Sequence, residues 1–371
     1  MSGPRVPGFD TLALHAGGNA AGAIAPSSTA MLEERIAALE GGVAAIATAS
    51  VQAAYHLGLA TLTGAAGHIV AANNLPAGAR KLLNALSRFG IESTLVDARD
   101  LDAWRAAIRP ATRLLLGASL GGPDLSVLDI PALGALAHQH DLPLMVDATS
   151  VSPWLQRPFE LGADLVIHST DVCLGGPGAP PGGLLVDGGT FDWQAAHDRN
   201  GRFAALCEPS GSNGGRVYSE ESTVAAFALC ARHEGLPDFG AGMTHTSAAA
   251  ILNGVETLAL RVERHLSNTR RVLGFLASHP ALESLHYPEL EAHPDHRLAR
   301  RILARGCGAV IGFAVNGEHG AARRLADALQ LFHPPALDAA SGLLRLRVGL
   351  EDPDDLIDDL KRGLKLARKG A

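Results

Sequence analysis

Lysine is scarce in this chain. Of 31 basic residues only four are lysines, at Lys81, Lys361, Lys365 and Lys369. Few amines are therefore available to form an imine with a carbonyl compound, a chemistry that arginine cannot share. Cysteine is as rare: Cys173, Cys207, Cys230 and Cys307 stand apart with no C-x-x-C pair, which argues against a disulfide framework or a zinc site. Isolated thiols, and an opening MSGPRVPGFD without an apolar stretch, point to a reducing cytoplasm. No apolar run is long enough for a membrane span. Positive charge is not in excess either: a net charge of −7 argues against nucleic acid or an anionic membrane as the main partner.

What is present is a core-forming chain. Hydrophobic residues make up 47% and charged residues 19%, ordinary for a soluble α/β protein, and the length suits two or three packed units. LEERIAALEGG has Leu32, Ile36 and Leu39 at helical spacing, stopped by Gly41 and Gly42. Short apolar runs then recur at 68–72, 93–98, 113–119, 143–149 and 164–170, separated by amphipathic stretches. That order predicts βαβ units and a mostly parallel sheet, with ligands at the carboxyl ends of the strands. A long helix is expected over 247–279, then a smaller α/β unit with a last helix capped by Asp352 and opened by Pro353.

FDTLALHAGG, ERIAALEGGVAAIATAS, VLDIPALGALAHQHDLPLMVDAT, RPFELGADLVIHS, GVETLALRVERH and LRLRVGLED resemble the Cys/Met-metabolism family of pyridoxal phosphate (PLP) enzymes, and within it the O-acetylhomoserine sulfhydrylases (homocysteine synthases). The resemblance runs in order along nearly the whole chain. It implies the PLP-dependent transferase fold type I, aspartate aminotransferase-like: a large α/β domain over 31–250, a C-terminal α/β domain over 251–371, and a shortened N-terminal segment over 1–30. It also implies four functional parts: a lysine for the Schiff base, an aspartate for the pyridine nitrogen, a cradle for the phosphate and an arginine for the substrate carboxylate.

Residue by residue, several of those parts are altered. The family pattern H-S-x-T-K-x-x-G-G corresponds to His168-Ser169-Thr170-Asp171-Val172-Cys173-Leu174-Gly175-Gly176, so Val172 occupies the lysine position and no catalytic residue is carried over. The phosphate turn S-G-M or S-G-Q becomes Ser50-Val51-Gln52, where a β-branched side chain replaces the glycine that admits a phosphate. Asp171 replaces a threonine and sets a carboxylate against that phosphate. The stacking aromatic becomes Pro76 in Asn74-Leu75-Pro76-Ala77-Gly78. Ala118-Ser119-Leu120-Gly121-Gly122-Pro123 loses both polar side chains of E-x-x-x-N-P. Ser50, Gln52, Asp147, Ser169 and Thr170 remain as cofactor-binding remnants, and Arg345 as the carboxylate-binding remnant. Two segments are short: the link Asn19 to Ala25, where a Y-x-R motif is expected, and the stretch after Leu331-Phe332-His333-Pro334-Pro335.

These losses lead to the expectation of a catalytically degenerate relative, a pseudoenzyme acting as a binding or assembly partner and lacking the family's sulfhydrylase, transsulfuration transferase or lyase activity. No cofactor is expected, PLP being the family's. A homo-oligomer is expected, with an active paralogue or another sulfur-metabolism protein as further candidate partners, and no metal. A second reading is an enzyme with a repurposed pocket in which Asp171 and Cys173, with Asp147 and Arg345, act on an anionic sulfur or amino-acid substrate. A third is that PLP is held without a covalent bond.

Overall fold

The computed structural model describes residues 27–209, 211, 214–317, 320–332, 335–338 and 341–368. The short link at 19–25, and His333 and Pro334 of the second short segment, lie outside the described residues. The chain divides into two units, Met1–Ser119 with Asp129–Leu258, and Leu120–Leu128 with Ala259–Ala371.

The first unit is built on a seven-stranded sheet of β1 (Ala44–Thr48), β2 (His68–Ala72), β3 (Glu92–Val96), β4 (Thr112–Ala118), β5 (Leu144–Asp147), β6 (Leu165–Ser169) and β7 (Gly183–Asp187). Their order across the sheet is β1-β7-β6-β5-β4-β2-β3. β2 to β6 run parallel where they pair, and β7 is antiparallel to both of its neighbours. The apolar runs do form strands: β2, β5 and β6 are buried along their whole length, as parallel strands covered on both faces must be. β1 and β7 carry less of that signal. AAIAT is mostly alanine, and GLLVD opens with a glycine, residues that are depleted in strands.

Helices α1 (Ser28–Glu40), α2 (Val51–Thr63), α3 (Ala77–Leu86) and α4 (Ile130–Gln139) alternate with these strands. Leu32, Ile36 and Leu39 form the buried face of α1, Ser27 caps it, and Gly41 ends it in the left-handed conformation at φ 81°. Two acids on that helix also turn inward. Glu33 accepts the backbone N–H of Ala47 at 2.8 Å and pairs with Arg232 at 2.9 Å; Glu40 pairs with the buried His168 of β6. The apolar faces of α2 and α3 close over Ile46, Ile69, Leu116, Met145, Ile167 and Leu185 to make the main core.

The expected single helix over 247–279 is two helices, α5 (His245–Glu256) and α6 (Leu258–Leu276). Thr257 breaks the run by turning its N–H and its hydroxyl back to Gly254 O. Gly254 has no alternative there, since a Cβ would stand 2.0 Å from Gly175 O. The second unit carries a four-stranded sheet of β8 (Leu282–His286), β9 (Val310–Val315), β10 (Ala336–Leu337) and β11 (Leu344–Arg347), antiparallel in the order β8-β9-β11-β10. The last helix, α7 (Pro353–Arg368), starts as expected, with Asp352 accepting the N–H of Asp354 at 2.9 Å. Among the described residues no helix is long and apolar enough to cross a membrane.

Asp187 closes β7 and accepts the N–H groups of Gly189 and Ala228. Burial pushes its carboxyl from the usual 3.8 up to about 7, against the pull of those two donors. A group whose folded pKa is raised binds more protons folded than unfolded between the two values, so its contribution to stability is present below pH 3.8 and is lost as pH rises through about 7. Urea unfolding from pH 4 to 8 is expected to show this decline in the parent and a flatter profile in Asp187→Asn. Parallel profiles in the two proteins would contradict it.

Candidate functional site

The carboxyl ends of β5 and β6 and the N-terminus of α2 meet at one edge of the first sheet. Glycine makes the meeting close. Gly183 pairs with both Thr48 of β1 and Ser169 of β6, and a Cβ on it would lie 2.5 Å from Ser50 O and 2.7 Å from the Val51 Cα. Ser50 is the N-cap of α2: its hydroxyl accepts the Ala53 N–H at 3.2 Å, and its carbonyl accepts the Thr48 hydroxyl at 2.9 Å. A serine cap is the common way to satisfy the first free amides of a helix.

Asp147 ends β5 and is buried. Its Oδ1 accepts the Thr149 N–H at 2.8 Å, and its Oδ2 accepts the hydroxyl of Tyr55 at 2.5 Å. Tyr55 lies on the buried face of α2. Burial first, and then the Asp147 carboxylate beside it, hold the phenol well above its ordinary pKa, so it stays a donor at neutral pH. Thr149 also fixes β6, because its hydroxyl accepts the Ser169 N–H at 2.9 Å.

Beyond β6 the chain enters a single wide turn, Thr170–Leu174. The Thr170 N–H bonds to Gly182 O and its hydroxyl to Pro180 O, so this buried threonine is committed to the β6–β7 connection. Ser169 donates its hydroxyl to the carboxylate of exposed Asp171. Cys173 is half-buried in the same turn. His168, one residue before Ser169, is held by Glu40 in the interior, a structural role.

Ser50, Asp147, Ser169, Thr170 and Asp171 are thus brought to one edge, with Val172 in the turn that follows β6. Gln52 is exposed and reaches toward the first turn of α3, beside the loop that precedes it: a Cβ on Gly78 would be 2.2 Å from its Nε2. Pro76 of that loop is exposed, and Lys81 is an exposed residue of α3. Arg345 belongs to β11 of the second unit, where it pairs with Gly312 and Ala336. Its Nε is buried without a partner, no acid pairs with it among the described residues, and burial with the neighbouring Arg347 charge pulls its pKa down.

The sequence reading missed Tyr55, Thr149 and Glu40. Tyr55 did leave a signal: it is one of three tyrosines in the chain, set in an alanine- and leucine-rich helix, and a buried tyrosine needs a partner for its hydroxyl.

Residues 22–336 match the family model described as Cys/Met metabolism PLP-dependent enzyme. The O-acetyl-L-homoserine sulfhydrylase of Leptospira meyeri is 37% identical, over 91% of this chain and 84% of its own. That of Corynebacterium glutamicum is 35% identical, over 90% and 82%. A crystal structure of an O-acetylhomoserine (thiol)-lyase from Campylobacter jejuni, which contains N'-pyridoxyl-lysine-5'-monophosphate, superposes with a TM-score of 0.86 at 29% identity over 91% of this chain and 85% of that one.

These matches correct one expectation. The chain was expected to work without a cofactor, and the family it matches is PLP-dependent, with the pyridoxyl group present in a similar structure. The physical reason is that a Schiff-base lysine supplies one bond among the several contacts that hold such a cofactor. The contacts to the ring and the phosphate come from other residues. Those residues fit the group in part: Asp147 keeps acceptor capacity on both carboxylate oxygens beyond the one bond each accepts, and the α2 N-terminus offers backbone amides of the kind that hold a phosphate, while the amides and hydroxyls of Ser169 and Thr170 are engaged within the protein.

The Tyr55–Asp147 bond generates a stability test. Removing the donor leaves a buried carboxylate oxygen short of a partner, at a cost of about 1.5–3 kcal/mol. Tyr55→Phe should lower the urea midpoint by the corresponding amount with an unchanged slope; an unaltered midpoint would show that the bond contributes nothing.

Proposed function

Because this chain belongs to the Cys/Met metabolism PLP-dependent enzyme family, we propose that it is an O-acetylhomoserine sulfhydrylase-like protein of sulfur amino-acid metabolism that holds PLP reversibly, without covalent attachment, and serves as a binding or assembly partner. One observation carries this reading. Val172 stands between Ser169 and the Gly175–Gly176 pair, and the four lysines of the chain are elsewhere: Lys81 on the exposed side of α3, the others at 361, 365 and 369. Valine has no nitrogen to offer a carbonyl.

The chain's own residues then act as a holder. Asp147, fixed by Tyr55 and Thr149, is the acceptor for a ring nitrogen. Ser50 and Gln52 stand on the phosphate side with Ser169 and Thr170, whose hydroxyls must leave Asp171 and Pro180 O to reach a phosphate. Asp171 works against them, because it already takes the Ser169 hydroxyl and sets a negative charge beside any phosphate drawn there, a repulsion of about 4 kcal/mol per charge pair at 4 Å and intermediate dielectric. When bound, PLP supplies an electron sink; without an amine at 172 the protein has no covalent anchor through which to use it. Arg345, half-buried and without an acidic partner, is suited to an anionic group of a ligand or partner. Homo-oligomerisation, or pairing with an active paralogue, is the natural use of a chain whose core patterns are kept while its lysine is replaced.

Steady-state assay of O-acetylhomoserine with sulfide tests this reading. Parent and Val172→Lys are both expected at background turnover, because the lysine restores the amine while Asp171 and Pro76 still occupy their positions. Turnover well above background in the parent would overturn the proposal; in Val172→Lys alone it would show that the valine is the whole lesion.

A further inference from the structure

The first unit holds a second concavity, of about 330 Å³, a volume at the small end of ligand pockets. It is formed at the other end of α2 from Ser50, by Thr61 to Gly64, together with Arg113 at the start of β4, Phe203, and the segment from Glu234 to Phe239. None of the residues of the candidate site lines it.

Its charges are arranged unlike those of an ordinary surface cleft. Arg113 is half-buried, and among the described residues it donates through Nη1 alone, to Pro110 O at 3.1 Å and Thr112 O at 3.2 Å. No carboxylate pairs with it among the described residues, and its like charge is felt at Arg202. A half-buried guanidinium without a paired carboxylate among the described residues, and with a like charge nearby, favours an anion beside it. The rest of the lining has the opposite sign. Asp238 makes no ion pair among the described residues, Glu234 lies one turn before it, and the C-terminus of α2 gathers partial negative charge. Between them the wall is apolar, with Leu62, Phe203 and the partly exposed Phe239.

We propose that this cavity is a binding site for a free α-amino acid with an apolar side chain, its carboxylate on Arg113, its ammonium at the α2 C-terminus with Asp238 and Glu234, and its side chain against Phe203 and Phe239. A simple anion would leave the acidic rim unused, and a simple cation would leave Arg113 unmatched.

Calorimetric titration of the full chain with L-norleucine tests the site without engaging sulfur chemistry. One molecule is expected to bind per chain. L-norleucinamide and N-acetyl-L-norleucine, which lack the carboxylate or the ammonium, are expected to bind at least about tenfold more weakly, as is L-norleucine to Arg113→Gln or to the exposed Asp238→Asn, the loss of one charge-assisted pair. Asp147→Asn, at the candidate site, should leave binding unchanged. No binding, binding indifferent to both Arg113→Gln and Asp238→Asn, or binding lost in Asp147→Asn would overturn the proposal, and none of these outcomes bears on turnover or on PLP.

Discussion

A buried carboxylate at the end of a central strand has to be satisfied, and in this protein the requirement at Asp147 organises the whole edge of the first sheet. Asp147 is buried: β4 and β6 flank its strand, and its carboxylate takes the hydroxyl of Tyr55 from α2. Unpartnered, it would cost several kcal/mol. Tyr55 and Thr149 meet that need from two directions, and each carries the constraint further. Tyr55 fixes the rotation of α2, and with it the position of the Ser50 cap. Thr149 takes the Ser169 amide, so the β6 end is held in register with the β5 end. The close approach at Gly183 completes the arrangement by letting Ser50 and Val51 sit almost on β7.

The fold was legible because its determinants are local and periodic. Runs such as HIVAA and LVIHS, punctuated by amphipathic stretches and by Gly41 and Gly90, specify strands and helices in an order that has few topological solutions. The resemblance to a known family supplied the rest of the architecture. The failures have physical causes. β1 and β7 are strands by position in the sheet and not by propensity. The break between α5 and α6 comes from Thr257 bonding back to Gly254, and Gly254 itself lies against Gly175, 79 residues away in sequence, a contact that no local pattern announces. The same holds for the site. Asp147, Ser169 and Thr170 could be picked out by their places after apolar runs, while Tyr55 and Glu40 became visible only once the helices were laid on the strands.

The expectation of no cofactor failed for a different reason. It treated the lysine as if it carried the whole of PLP recognition, when a Schiff base is one contact among several. The strand ends and the helix N-terminus at this edge are built by the fold in any case, because Asp147 and the α2 amides need partners whether or not a ligand is present. Loss of the amine and loss of the pocket are separate events. The resemblance sets Val172 where the family motif has lysine, while Asp147 and the α2 N-terminus still meet at one edge of the sheet.

Reversible holding without a covalent anchor is the central claim, and borohydride reduction followed by peptide mass mapping addresses it most directly. Protein saturated with PLP, reduced and digested, is expected to give no pyridoxyl-lysyl peptide at Lys81 or at any other lysine, while an unreduced sample gives up its PLP on dialysis. A stoichiometric pyridoxyl-lysine at any position would contradict the account.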